Sequence, residues 1–358
     1  MVTPVPLERL KKSKICFVSH NASLQRNNRL VKSLSQKYDV SLIRSLTRHS
    51  SNKLLQPNLS SALRLSQVGL MSLVTTTPMF LDILAAFFFP SELKNYVLDY
   101  ATPLSLELAW LGHRSLSKFV EIQEKFLLRN ARAVTVPNEL FEKRAYDFGA
   151  SNVTVIPNYP SIKFNPTLDG LTFRKQMGLS ETSRVAIFTA AGRLEEIYGL
   201  KLLLESWKIV EERCNNALLI IAGPRNDSEI SKSDILQRAK TLNIRNLCVT
   251  GYLHNSALPD WINIADVCLA PRTKGFPIEY YDDKDSTKIS EYAALKKPIV
   301  ATGYSFSNQY MLVGQSPEDF AEGILKAFAG TCKFSEPNFW ENNEGLLFKT
   351  VDQLFEKK

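Results

Sequence analysis

Apolar positions along this chain gather into short runs separated by stretches with helical spacing. Residues 15–19 (ICFVS) form one run, residues 29–35 repeat at helical intervals, and residues 40–43 are apolar again, which predicts a strand, a helix and a strand. The unit recurs less clearly at residues 96–98, then through a long helical stretch at 116–129 with Phe119, Ile122, Phe126 and Leu127 on one side, and on to strands at 133–136 and 153–156. A plainer alternation follows: strands at 185–189, 217–222, 248–251, 267–270 and 298–301 are interleaved with helices at 199–210, 230–242, 258–264 and 287–295. Short strands alternating with helices predict parallel sheets covered on both faces.

Between the two alternations the chain reads NYPSIKFNPTLDG, where Pro160 and Pro166 prevent regular structure and Gly170 permits a turn. The linker is placed here. The expectation is an α/β protein of two doubly wound domains, residues 1–162 and 163–335, followed by a helical tail at 336–358 that returns to the first domain. A length of 358 residues agrees, since one hydrophobic core seldom grows so large.

Composition adds compartment and partners. Five scattered cysteines with no C-x-x-C pair favour a reducing environment over a disulfide or zinc framework. The basic N-terminal stretch runs into a strand-length apolar segment rather than a signal-peptide core, and Pro78 and Asp82 interrupt the most apolar region, leaving residues 79–89 too short to span a bilayer. A cytoplasmic protein is expected. Charge is uneven: residues 1–165 hold 21 Lys/Arg against 11 Asp/Glu, and the rest 23 against 25. The first half therefore suits an anionic partner, either a membrane face touched peripherally or a lipid phosphate, with residues 79–89 as an interfacial element; a solvated basic surface and a buried helix are the plain alternatives. Nucleic acid is not expected, because the basic residues do not interleave with aromatics in a recognised module.

In an open parallel sheet ligands sit beyond the carboxyl ends of the strands. Three loops qualify. The first, AAGRLEEIYGLK, offers Gly192 for close backbone approach and Arg193 as a forked donor to phosphate oxygens. The second, IAGPRND, is a wall. In the third, FPIEYYDDKDSTKISEYAALKKPIVATGY, Asp285 or Ser286 can cap a helix whose first amides, near Thr287 and Lys288, suit a diphosphate. Asp283 precedes that helix and Glu291 lies three residues beyond Lys288, so two carboxylates would flank one anion seat and meet ribose and sugar hydroxyls.

With VTVPN, VIPN, GRLEEIYGL, IAGP, LPDWINIADVCLAP and STKISEYAALKKPIVAT in this order, the chain resembles the retaining, nucleotide-sugar-dependent glycosyltransferases of family 4 over nearly its whole length. The resemblance implies a GT-B fold, two Rossmann-like domains facing across a cleft with a C-terminal helix returning to the first. It implies that Arg193, Ser286, Thr287 and Lys288 meet the donor diphosphate, that Glu291 holds the ribose, that Asp283 faces the transferred sugar, and that Tyr252 lies along the base. The segment YVLDYATPLSLE resembles the acceptor-side loop, with Asp99 at the position where many relatives carry a histidine and Thr102 nearby; a strand-end Asp capping the next turn is the alternative. The sequence departs from the family in three ways. Aspartate at 283 is one methylene shorter than the usual glutamate, Tyr198 stands where a lysine is usual, and HNASLQRNNR replaces the glycine-rich loop after the first strand, leaving Lys288, Arg26 or Arg29 to supply the missing charge.

Asp282, Asp283 and Asp285 have the look of an oxygen metal site. The resemblance instead implies that helix amides, Arg and Lys offset the leaving diphosphate, so no metal and no cofactor beyond the nucleotide diphosphate sugar is expected. The implied reaction moves a hexose-type sugar from a UDP- or GDP-linked donor to a glycan or lipid-linked acceptor with retention, in glycoconjugate or cell-surface polysaccharide biosynthesis, the departing phosphate oxygen taking the acceptor proton. A GT-B-fold sugar-nucleotide epimerase and an inactive nucleotide-sugar-binding homologue are the rival readings.

Overall fold

The computed structural model describes residues 13–19, 25–44, 47–50, 53–57, 72–75, 96–190, 192, 194–195, 197–225, 228–273, 280–332 and 336–356. Residues 79–89, expected as an interfacial or buried element, and Arg193 lie outside them. The chain divides into two compact units: Met1–Ile156 together with Asn343–Lys358, and Pro157–Asn342. The change of unit at Ile156 comes ahead of residue 162, and residues 336–342 stay with the second unit rather than joining the tail.

The first unit holds β1 (Lys14–Ser19), β2 (Asp39–Arg44), an antiparallel pair β3 (Thr47–Ser50) and β4 (Lys53–Pro57), β5 (Ser72–Thr75), β6 (Tyr96–Asp99), β7 (Ala133–Val136) and β8 (Val153–Val155). Six of these form a parallel sheet in the order β2-β1-β5-β6-β7-β8. β6 and β7 are buried at every residue, as central parallel strands covered on both faces must be. Helices Gln25–Lys37, Leu104–Trp110, Arg114–Asn130 and Glu139–Asp147 connect them; Asn138 caps the last by accepting from the Phe141 amide at 3.0 Å.

The Arg114–Asn130 helix buries a different face from the one its apolar residues mark. Of Phe119, Ile122, Phe126 and Leu127, only Leu127 is buried; the helix turns Ser117, Val120, Gln123, Glu124, Leu127 and Leu128 inward. Polar bonding decides this orientation. Glu124, fully buried, accepts from the Ser105 amide (3.0 Å) and hydroxyl (2.7 Å), the Tyr100 hydroxyl (3.2 Å) and Arg144 Nη2 (3.1 Å), while Ser117 donates to the Ser105 carbonyl at 2.7 Å. A buried carboxylate so bonded cannot be turned to solvent without leaving Arg144 uncompensated.

The second unit is a six-stranded parallel sheet ordered β11-β10-β9-β12-β13-β14, from β9 (Arg184–Thr189), β10 (Ala217–Ala222), β11 (Leu247–Gly251), β12 (Val267–Pro271), β13 (Ile299–Thr302) and β14 (Met311–Leu312). Helices Gly170–Gln176, Leu200–Arg213, Lys232–Thr241, Leu258–Asn263, Thr287–Ala294 and Pro317–Phe328 belong to it. Its core gathers Phe188, Leu203, Trp207, Leu219, Ile221, Val300 and Phe320. The exits of β9 and β10 lie so close that a Cβ on Gly223 (φ +143°) would sit 1.8 Å from the Ala190 carbonyl oxygen, so only glycine fits there.

The first unit is completed by the Glu344–Asp352 helix, which buries Leu347 and Val351. Ser33 donates to Glu344 Oε1 at 2.6 Å, Tyr38 to Asp352 Oδ1 at 2.8 Å, and Lys37 pairs with Asp352 at 2.5 Å.

Candidate functional site

Two neighbouring strands of the second unit, β9 and β12, end beside the Thr287–Ala294 helix. Tyr292, fully buried on that helix, bonds the Thr189 amide at 2.9 Å and reaches the Leu269 carbonyl at 3.4 Å, which fixes the helix against both strand ends. Every residue from Lys288 to Ala294 is buried, including the charged Lys288 and Glu291. Burial of this kind is costly for a charge unless something answers it.

The Lys288 amine has no hydrogen-bond partner among the described residues. It lies 4.1 Å from the centre of the Phe188 ring and 4.1 Å from that of Tyr198, so ring faces stand close to it where a hydrogen-bond acceptor otherwise would. Burial, and then the like charge of Arg272, pull its pKa well below that of an ordinary lysine, with Glu291 acting in the opposite sense. Ser286, buried at the N-cap, makes no capping bond with its hydroxyl. An amine without a hydrogen-bond partner at a helix start is an arrangement that can receive an anion.

Arg272, absent from the residues singled out in the sequence, directly follows β12 and is 4% exposed. Its guanidinium carbon lies 4.4 Å from the Tyr281 ring, 4.7 Å from Tyr304 and 5.6 Å from Tyr198. Backbone packing holds this arrangement: a Cβ on Gly303 would come within 2.7 Å of the Arg272 Cβ, and one on Gly199 within 3.0 Å of its carbonyl carbon. Thr273 donates to the Glu195 carbonyl at 2.6 Å and accepts from the Gly199 amide at 3.1 Å, tying the loop after β12 to the loop after β9 and bringing Tyr198 between the two cations. The signal was present in the sequence, because the rule that selected the other strand-end loops also selects the residue after LAP.

Asp283 is not beside Lys288. It lines a small cavity with Tyr159, Ser290, Ala293, Gln309, Glu336 and Asn338. At 100° per residue, Ser290 and Ala293 lie on the side of the helix away from Lys288 and Glu291, so the two carboxylates do not flank one seat. The loop is held in this position by Asp282, whose Oδ1 accepts the Lys284 (2.9 Å) and Asp285 (3.1 Å) amides, and by Asn158, which donates to the Asp285 carbonyl at 2.9 Å. Asp285 adds to the field that keeps Arg272 charged, and Thr287 is half-buried. Among the described residues no group of three His, Cys, Asp or Glu is arranged to hold a metal ion.

Gly192 is half-buried; a Cβ there would be 3.5 Å from Ser228 Oγ, an ordinary contact, so crowding does not demand glycine. Tyr252, just past β11, is 55% exposed. In the first unit Thr102 is half-buried after β6. Asp99, fully buried at the end of β6, accepts from Arg26 Nε (3.1 and 2.9 Å), Arg26 Nη2 (2.6 Å) and Thr135 Oγ1 (2.7 Å). It does not cap the next turn: its carboxylate is engaged by Arg26, which also donates to the Ile156 carbonyl at 2.8 Å.

Residues 185–329 match the family model described as glycosyl transferases group 1. The matched segment begins inside β9 and takes in Arg272, Lys288 and Glu291. No curated protein matches the chain. Among solved structures, sucrose-phosphate synthase from Thermosynechococcus elongatus is similar with a TM-score of 0.72 at 14% identity, covering 96% of this chain and 99% of that one. HepE from Anabaena, solved with UDP-glucose, has a TM-score of 0.62 at 14% identity over 96% of each chain. A protein described as a UDP-N-acetylglucosamine 2-epimerase from Listeria monocytogenes has 0.62 at 10% identity, covering 97% and 98%. At such identities the likeness shows the fold, and the fold is GT-B with Rossmann-like domains.

Proposed function

We propose that this protein is a retaining glycosyltransferase that moves a hexose-type sugar from a UDP- or GDP-linked donor to a glycan or lipid-linked acceptor. The observation that carries the reading is the buried, unanswered Lys288 amine at the start of the Thr287–Ala294 helix, inside the segment that matches the glycosyl transferases group 1 model. A diphosphate supplies the acceptor this amine lacks, and a fixed cation at a helix start stabilises the negative charge that develops as the sugar leaves. Ser286, Thr287 and the loop residues Gly192 and Arg193 line the same group, Glu291 holds the ribose, and Tyr252 borders the base. Lys288, Arg193 and the helix amides take the role that a metal fills elsewhere, so no cofactor is required. In this reading the departing phosphate oxygen accepts the acceptor's proton.

Incubation with UDP- and GDP-sugars, with free nucleoside diphosphate as readout, tests the proposal. Slow release supports a transferase, interconversion of the sugar without release supports an epimerase, and binding with neither identifies an inactive binding protein.

For the acceptor we propose a lipid-linked or membrane-proximal molecule, met by a cytoplasmic protein through its basic first unit. The Arg114–Asn130 helix supports this, since it exposes Phe119, Ile122 and Phe126 as one stripe beside Arg114, Lys118 and Arg129. Among the described residues no helix is long and apolar enough to cross a membrane. Co-sedimentation with vesicles containing anionic phosphatidylserine at low salt is expected for the wild type and to be weakened in Ile122→Glu; equal recovery with and without vesicles would remove this part of the reading.

A further inference from the structure

Two strand exits in this chain share one pattern, VTVPN at 134–138 and VIPN at 155–158, and their asparagines behave differently. Asn138, after β7, caps the helix that follows it, accepting from the Phe141 amide at 3.0 Å. Asn158, after β8, has no such helix to cap, since the next α-helix among the described residues starts at Gly170. Its side chain reaches 127 positions ahead and donates to the Asp285 carbonyl at 2.9 Å, while its own amide donates to the Lys284 carbonyl at 2.7 Å. We propose that Asn158 is a positioning residue for the donor seat, holding the loop that leads into the Thr287–Ala294 helix so that the helix start and Lys288 stand where a diphosphate meets them. The inference rests on the glycosyltransferase reading of that site.

The bonds of this loop divide into those that shape it and those that place it. Asp282 shapes it: Oδ1 accepts the Lys284 and Asp285 amides, and the Asp282 carbonyl accepts the Ser286 amide at 3.1 Å. These bonds all lie within residues 282–286, so they travel with the loop and do not fix where it sits. Placement comes from outside. Ser290, one turn into the helix, donates to the Asp283 and Ser286 carbonyls, both at 2.9 Å, which ties the loop to the helix it precedes. Asn158 ties the same turn to the segment entering the unit, which is itself held where the Pro160 carbonyl accepts the Trp340 amide at 2.8 Å. Asn158 is buried, and its two donors address successive carbonyls, so they fix the tilt of the turn as well as its distance; a single bond would leave a pivot. With no side-chain cap at Ser286, the approach of the chain to the helix depends on these loop bonds. A seat made of helix amides and one buried amine favours an anion most when both are aimed before the ligand arrives, and a loop held from outside supplies that aim.

The test measures binding of UDP, uridine, GDP and guanosine by isothermal titration calorimetry to the full chain and to its Asn158→Ala and Asp266→Ala variants. Asp266 is the control. At the starting ends of β9 and β12, opposite the loops that face the ligand, it accepts the Val185 amide at 2.7 Å and pairs with Arg174 at 2.8 Å, so its removal loosens the second unit away from the seat. In the wild type the diphosphate of one nucleoside is expected to bind more tightly than the bare nucleoside. Asn158→Ala is expected to weaken that diphosphate by about 5- to 10-fold, the worth of one buried hydrogen bond, and to leave the nucleoside unchanged. Asp266→Ala is expected to lower the melting temperature and keep the ratio of diphosphate to nucleoside affinity. If Asn158→Ala does not fold, Asn158→Ser, whose hydroxyl is one bond short of the Asp285 carbonyl, decides by the same ratio. An equal fall of the ratio in Asp266→Ala overturns the proposal, because any loosening of the unit would then suffice. A wild type that binds none of the four overturns the glycosyltransferase reading and this inference together, whereas wild-type binding with an unaltered ratio in Asn158→Ala overturns the inference alone.

Discussion

Replacing Asp99 by Asn should open the centre of the first unit's sheet. In the folded chain the Asp99 carboxylate is completely buried, Arg26 is 8% exposed, and three Arg26 contacts between 2.6 and 3.1 Å plus the Thr135 hydroxyl converge on two oxygens. An amide of the same shape presents N–H to a guanidinium that can only donate, so the substitution leaves a buried cation with half its acceptors. Removing one member of a buried pair costs about 3–5 kcal/mol. Hydrogen exchange read by mass spectrometry on peptides spanning β6 and β7 should therefore quicken by about a hundred- to several-thousand-fold wherever exchange follows this opening. The double variant Arg26→Met/Asp99→Leu, which removes both charges, should be closer to wild type than either single change. An increase below tenfold in Asp99→Asn would refute the argument. A loss of turnover with unaltered exchange would return Asp99 to the acceptor side.

Three further outcomes are expected. Burial and Arg272 lower the Lys288 pKa below its unfolded value of 10.5; between the two values the unfolded chain holds a proton that the folded chain lacks, so stability rises with pH across that window. Lys288→Met should abolish this rise, as compared by urea midpoints of the two proteins from about neutral pH upward. Gly223→Ala forces a Cβ to 1.8 Å from the Ala190 carbonyl oxygen at φ +143°, and should lower the second unit's melting temperature by several degrees at least, since even about 1 kcal/mol moves Tm by about 2–4 °C in a unit of that size. Glu124→Gln should destabilise the first unit by about 2–3 kcal/mol in urea unfolding, because Arg144 and two Ser105 donors all converge on that carboxylate.

The parallel sheets were legible because a strand buried on both faces is nearly all apolar, and β9 and β12 read that way without help from tertiary structure. The helix start before Lys288 was legible for a similar reason: a polar cap followed by a periodic apolar run marks one. What failed to show in sequence was which way polar side chains turn. Phe119 and Ile122 marked one face of a helix, yet Glu124 and Ser117, joined to Arg144 and Ser105, pulled another face inward. Those partners lie in separate elements, and no local periodicity announces them. The same limit applied to Asp283, where spacing along the helix suggested a place next to Glu291 and the loop bonds of Asp282 and Asn158 set it on the opposite side. Asp99 became a candidate because YVLDYATPLSLE resembles the acceptor-side loop of the family, while its partner Arg26 is 73 positions away and nothing local announces the pair.

The first unit is assembled from both ends of the described chain, with Leu347 and Val351 filling positions that its earlier elements leave open. The second unit is continuous. During synthesis, then, residues 157–342 can reach their native contacts before residues 13–156 have all of theirs, although the latter are made first. A first unit cut off at Ile156 would expose Tyr38 and the surfaces that the Glu344–Asp352 helix covers. To study it alone, the helix has to be supplied in trans or spliced to its neighbour, which makes this protein a natural subject for split-chain complementation.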